Sequence, residues 1–287
     1  MATESAIDIR VLHDGDLAAA ARLGAQEDWN QTESDWRRVL SLDRRGSFAA
    51  SVHGRLIGTV TTVTYGAELA WIGMMLVDAD RRRRGIGTRL MRTALDHLEA
   101  RGVPTVKLDA TPAGRPLYES LGFVPETRIE RWEGTARPTS TKDVRELDRK
   151  TRDAVCALDR LASGADRSSV LEGLITGSCV NPQIVTERFG TELRGYALAR
   201  SGRAAVYLGP VIATDDDAAR ALVDGMLGRL AGETVFVDLH TGFVAGTKIL
   251  TDRGFSRQRE LTRMRLGREN GAGTSSTIFA IAGPEIG

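Results

Sequence analysis

The peptide AGRPLYESLGF at 113–123 returns as AGTKILTDRGF at 245–255, an offset of 132 residues. Leu90 and Leu222 share that offset, as do Leu76 and Leu208. TVKLD at 105–109 matches TVFVD at 234–238 at an offset of 129, which requires one three-residue insertion afterwards. One such match is cheap; several in order with a single indel restrict the chain to two related units. Its 287 residues, 41% hydrophobic and 27% charged, suffice for two globular domains. The polar, aperiodic stretch EGTARPTSTK at 133–142 reads as the linker, which sets the units at 1–132 and 143–287.

Each unit mixes strands and helices. In the first, 7–12, 47–52 and 56–65 read as strands, the last two joined by HGR as a hairpin. Residues 71–77 and 103–108 are nearly continuous apolar runs, as buried strands require. Helical spacing marks 14–21, 32–42 and, most strongly, 85–100, where Ile86, Leu90, Ala94 and Leu98 recur every four residues. Residues 116–121 read as a short helix ended by Gly122, and Phe123 opens a strand towards Trp132. Beyond the linker, 143–160, 168–175 and 218–230 read as helices; 183–189, 193–199, 204–209 and 234–239 read as strands. Residues 278–281 are apolar enough to add another.

The chemistry concentrates in DADRRRRGIGTRLM at 78–91, between the 71–77 strand and the 85–100 helix. A helix N-terminus carries unpaired N–H groups and positive partial charge, so arginines crowded there are unfavourable unless an anion joins them. Gly85 and Gly87 let anionic oxygens approach those N–H groups. The Gly-x-Gly-x-x-Gly dinucleotide pattern fails because position 90 is Leu, and no Gly-Lys-Ser/Thr exists for a P-loop. The repeat serves as a control. At the 132 offset Arg83, Arg84 and Gly85 become Asp215, Asp216 and Asp217, carboxylates that suit an empty helix end and repel a phosphate. A net charge of +1 and the absence of interleaved aromatics argue against nucleic acid as a partner.

The run Arg82-x-x-Gly85-x-Gly87 resembles the pyrophosphate signature of the GNAT (Gcn5-related) N-acetyltransferases, and LYESLGF resembles that superfamily's Tyr-x-x-x-Gly-Phe. The resemblance covers the first ~130 residues, about one domain, while the second half resembles the fold without its motif. It implies an α/β fold of mixed α+β type: two tandem GNAT-like domains, each a mostly antiparallel sheet flanked by helices. It further implies an acyl-CoA, most simply acetyl-CoA, as co-substrate and a small-molecule amine as acceptor. Leu76, Val77, Arg82, Arg83, Arg84, Gly85, Ile86, Gly87 and Thr88 would hold the donor. A strand N–H near Met75 would polarise the thioester carbonyl. Tyr118 stands at the superfamily's proton-donor position; a core aromatic is the alternative, but its counterpart Leu250 keeps the packing and loses the donor.

Trp29, Asn30 and Asp109 are candidate acceptor residues, Trp29 alternatively as core and Asp109 alternatively as a turn cap. Glu27, Asp28 and Glu68 are candidate bases, each alternatively an ordinary surface acid. A binding module that senses acyl-CoA without turnover, and acyl transfer from a non-CoA donor such as aminoacyl-tRNA, are the competing classes. No metal-type Cys/His spacing is present, and Cys156 and Cys179 read as buried small groups. No signal-peptide pattern or membrane-length apolar run is found, which leads to an expectation of a cytoplasmic protein.

Overall fold

The apolar runs become strands wherever one face can be covered, and local chemistry sets their ends. The computed structural model describes residues 7–139, 141, 144–177, 183–186, 192–268 and 273–287; Cys179 lies outside them. The first half runs β1 (Asp8–Val11), α1 (Leu17–Gln26), α2 (Glu33–Leu42), β2 (Phe48–Val52), β3 (Arg55–Tyr65), β4 (Leu69–Val77), α3 (Ile86–Ala100), β5 (Thr105–Ala110), α4 (Arg115–Ser120) and β6 (Val124–Thr135). Thr32 caps α2 in a reciprocal box with Asp35. His53 and Gly54, both at positive φ, make the tight turn between β2 and β3.

The second half repeats the plan. It runs β7 (Val144–Glu146), α5 (Arg152–Ser163), α6 (Ser168–Gly177), β8 (Gln183–Thr186), β9 (Leu193–Arg200), β10 (Val206–Ala213), α7 (Asp216–Arg229), β11 (Thr234–His240), α8 (Gly246–Thr251), β12 (Ser256–Gly267) and β13 (Ile278–Ala280). Ile86, Leu90, Met91 and Ala94 on the buried face of α3 match Ala218, Leu222, Val223 and Met226 on α7, so the 132 offset holds for the helices.

All the strands join one mixed, mostly antiparallel sheet in the order β1-β2-β3-β4-β5-β12-β6-β11-β13-β10-β9-β8-β7. The two halves exchange their last strands. β12 of the second half lies between β5 and β6, and β6 of the first lies between β12 and β11. The seam carries matching buried ion pairs. Arg263 on β12 grips Asp109 on β5 through both carboxylate oxygens at 2.9 Å. Arg131 on β6 grips Asp238 on β11 at 2.8 and 2.6 Å. One apolar core joins α1 and α2 to α5 and α6, with Trp36, Val39, Leu171 and Tyr196 buried in it.

In each half the parallel pair at the centre holds only briefly and then splays. β4 pairs β5 over Leu69–Trp71 alone, and β10 pairs β11 over Val206–Leu208 alone. In the second half β13 fills the gap, with Ala280 opposite both Val211 and Leu239. Phe279 there is fully buried, its ring edge-on to Phe243 at 5.4 Å. The chain then runs on into the first half, where Trp71 Nε1 donates to Pro284 O at 2.9 Å.

Several expectations need correcting. Residues 133–135 of the expected linker are sheet, paired with β11, and Glu133 pairs with β12 as well. The expected helix at 143–160 begins as β7 and becomes helical only at Arg152. β12 was not expected from the sequence, because its four arginines hide the strand alternation. The Leu76–Leu208 match was fortuitous. Both β4 and β10 carry a two-residue bulge, Met74–Met75 opposite Val60 and Gly209–Pro210 opposite Leu198. Aligned on those bulges, Leu76 corresponds to Val211.

Replacing Phe279 by Ala should open the second splay. Large-to-small changes at fully buried aromatics cost about 3–5 kcal/mol, so Phe279→Ala should lower the denaturant midpoint with little change in slope.

Candidate active site

The site begins at the β4 bulge. Met74 sits at φ +47°, a left-handed conformation that costs a non-glycine residue on the order of 1–3 kcal/mol. Thr59 Oγ1 helps hold it by donating to Met74 O at 2.7 Å. Past Trp71 no described strand pairs with the β5-facing edge of β4, so backbone from Met74 to Val77 borders a cavity instead of a neighbour.

The turn after β4 ends in a helix start without a side-chain cap. Arg83 and Gly85 both take positive φ, and Gly85 is the N-cap of α3. The two glycines divide the work. Space beside Gly85 is open, whereas a Cβ on Gly87 would lie 2.8 Å from Met75 Cε. Gly85 therefore supplies the backbone turn and Gly87 the close packing of α3 on β4.

A cavity of about 490 Å³ lies between these elements. β4 and the α3 start form one wall, and Asp109, Thr111, Gly114, Leu117 and Tyr118 another. Glu27, Trp29 and Gln31 also border it, and Arg259, Leu261, Pro284 and Glu285 come from the second half of the chain. Of the residues expected from sequence, Leu76, Val77, Arg82, Arg83, Gly85, Ile86, Gly87, Thr88, Tyr118, Trp29 and Asp109 are brought together here.

Arg84 and Asn30 are not among the lining residues. Arg84 is exposed beside the turn. Asn30 is buried and used structurally: Oδ1 accepts from the N–H groups of Ala204 and Ala205, and Nδ2 donates to Ala205 O at 3.0 Å. Asp109 lines the wall, but its carboxylate is committed to Arg263. Burial pushes its pKa up, against the pull of that guanidinium. Of the candidate bases, Asp28 is fully exposed and Glu68 lies at the end of the β3–β4 hairpin; Glu27 alone reaches the cavity.

Glu27 Oε1 lies 2.5 Å from a guanidinium nitrogen of Arg82, whose Nε also donates to Val77 O at 3.0 Å. Tyr118 is buried, and its hydroxyl bonds to no described residue; burial pushes its pKa up to about 12. The second-half residue that Gln31 reaches, Glu285, was missed from the sequence. Glu285 Oε1 accepts from Arg200 at 2.6 Å and Oε2 from Gln31 at 2.7 Å. Arg200 also donates to Asp35 Oδ1 at 3.0 Å, tying α2 to the closing segment. No local signal could have linked residues 254 positions apart.

Residues 12–123 match the acetyltransferase (GNAT) family, and residues 155–280 match an acetyltransferase (GNAT) domain. This chain belongs to the GNAT superfamily. It is 26% identical over 253 residues to the uncharacterized N-acetyltransferase YitH of Bacillus subtilis, covering 87% of this chain and 88% of that one. It is also 26% identical over 267 residues to the holothin acyltransferase of a Pseudoalteromonas species, covering 91% and 88%. A solved structure from Pyrococcus horikoshii superposes with a TM-score of 0.83 at 22% identity, over 100% of this chain and 98% of that one.

The second GNAT domain repeats the site's frame with its openings closed. Pro210 stands at the bulge position of Met75 and has no N–H to offer. β13 fills the splay. α7 starts two residues earlier than the repeat implies, at Asp216, and is capped by Asp215, whose carboxylate accepts from Ala218 N at 3.0 Å and is gripped by Arg194. Leu250 replaces Tyr118 and is fully buried.

Removing one member of a buried charge cluster leaves its partners uncompensated, at a cost of about 3–5 kcal/mol. Arg200→Met should therefore lower the unfolding free energy by that amount in equilibrium denaturation, since Asp35 and Glu285 both lose a partner.

Proposed function

We propose that this chain is an acyl-CoA-dependent N-acyltransferase, most simply an acetyltransferase, acting on a small-molecule amine at a single site in its first domain. The observation that carries the reading is one cavity joining three things: the unpaired edge of β4, the uncapped start of α3 and the Tyr118 hydroxyl. The named activities of the relatives, N-acetyltransferase and acyltransferase, support the reaction class.

In this reading the donor's pyrophosphate takes the N–H groups at Gly85–Thr88, with Arg82 and Arg83 adding charge. Its pantetheine arm lies along β4 from Met74 to Val77. The acceptor nitrogen attacks the thioester carbonyl, the C–S bond breaks, the departing sulfur takes a proton from Tyr118, and the second proton shed by the acylated nitrogen restores the phenol. A phenol held up to about 12 keeps its proton at working pH and is still acid enough to share it with a forming thiolate. Glu27, 30% exposed at the cavity edge, is the carboxylate that accepts the ammonium proton and returns it to water.

Arg82 must leave Glu27 to reach a phosphate. A part-exposed ion pair is worth about 0–1 kcal/mol, so Glu27→Gln should tighten acetyl-CoA binding by about two- to fivefold while lowering kcat. Calorimetry reads the first and thiol release the second; weaker binding would remove Arg82 from the donor site. The same titration should give about one equivalent of acetyl-CoA per chain, and two equivalents would overturn the single-site reading.

Tyr118→Phe keeps the packing and removes the proton donor. It should lower kcat by about 10²–10⁴-fold with the KM for acetyl-CoA nearly unchanged. Because burial raises its pKa, wild-type activity should show no alkaline loss from this group below about pH 11. An unchanged kcat in the phenylalanine variant would return Tyr118 to the core.

A further inference from the structure

The strand exchange delivers to the cavity one guanidinium that no described residue hydrogen-bonds. Arg259 lies on β12 at a register slip, opposite Arg131 of β6. It lines the cavity beside Leu261 and Glu285, on the wall made by the second half and away from the α3 start. Its Nε is buried and bonds to no described residue.

The carboxylates around it are committed. Asp238 accepts from Arg131 through both oxygens and from the Tyr207 hydroxyl at 3.1 Å. Glu285 and Asp35 share Arg200, with Arg38 also on Asp35. Asp109 holds Arg263. On and behind the wall five guanidinium groups meet four carboxylates, and Arg259 is the one that makes no direct ion pair with a described carboxylate. Burial and the neighbouring Arg131 work against its charge more than Asp238 and Tyr207 support it, yet a guanidinium does not give up its proton in a protein. A half-buried guanidinium whose Nε bonds to no described residue is costly to hold without a ligand. The repeat does not require it, since the position matching Arg259 in the first half is Thr127 on β6.

We propose that Arg259 receives a carboxylate of the acceptor, so that the substrate is an amine that is also an acid: an amino acid or a close derivative. This rests on the acyltransfer reading above and names the substrate class of the same site. A carboxylate matches both the planar fork of a guanidinium and the single excess charge. A phosphate dianion would bring a second charge against Glu285 and Asp109 on the same wall.

The test uses the full chain with acetyl-CoA and matched pairs, each amino acid beside its carboxamide, plus phosphoethanolamine. Acids should exceed amides in kcat/KM by about 100-fold. Arg259→Gln should abolish that preference, Arg259→Lys should restore part of it, and the acetyl-CoA Kd should stay within about twofold. The glutamine variant should also be at least as stable as wild type, because the charge it removes makes no direct ion pair with a described residue and lies against Arg131. Equal use of amides, preference for phosphoethanolamine, or loss of acetyl-CoA affinity in Arg259→Gln would each overturn the proposal.

Binding separates this proposal from the catalytic reading. N-acetylated amino acids titrated into CoA-loaded protein should bind wild type and not Arg259→Gln, whether or not any amine is turned over. Absence of binding by all of them would overturn the proposal while leaving acyl transfer intact. Binding without turnover of any amine would sustain the carboxylate site and remove the enzyme.

Discussion

The antiparallel pairing of β6 with β12 is the constraint on which everything else hangs. Each strand belongs by sequence to one domain and by hydrogen bonding to the other. The two ion pairs that secure it are related by the repeat: Arg131 and Arg263 are 132 residues apart, and Asp109 and Asp238 are 129 apart. Each arginine crosses to the other half's aspartate. Buried pairs of this kind add little net stability, but they penalise any arrangement in which the strands are misplaced. Asp109 is thus better understood as a clamp on the exchange than as a group reserved for substrate.

A shared sheet also explains how two copies of one fold came to differ. A parallel pair that splays after three residues leaves unpaired backbone, and buried backbone polar groups must find partners. The second domain answers with its own chain: β13 in the splay, an aspartate at the helix start, a proline at the bulge. The first domain leaves the corresponding features open and lines them with arginine, glycine and tyrosine. The closing segment does not stop at the second domain. It continues past Gly73, where a Cβ would lie 2.5 Å from Glu285 O, and sets the inner limit of the first domain's cavity.

Much of this was legible in the sequence because it is local. The long helix, the Gly85 turn and the aspartate-capped copy all follow from spacing and capping chemistry within about one turn of helix. The two-unit plan followed from the repeat, although its Leu76–Leu208 match dissolves once the bulges are aligned. What could not be read depends on contacts between distant segments. Asn30 looked like a pocket residue because of where it falls in EDWNQT, but its partners are Ala204 and Ala205. β12 was missed because its arginines look like a solvated stretch; their carboxylate partners Asp109, Glu126 and Glu130 lie in the other half.

The division of labour between the halves follows from these geometries. In the proposed reaction the first domain supplies what any acyl-CoA requires: helix N–H groups, a strand edge and a phenol. Those features are set by sequence within 74–118 and would serve many acceptors. In the proposed reaction the acceptor also meets a wall from 259, 261 and 284–285, in the half whose described residues close the corresponding openings. Strand exchange makes that separation possible without a mobile interface, since β12 is fixed by hydrogen bonds to the strand that carries Asp109. Change on the second domain can therefore alter acceptor preference while the donor cradle, anchored on β4 and α3, stays as it is. In the arrangement proposed here, the closed domain is the part of the molecule that would bear on which amine is chosen.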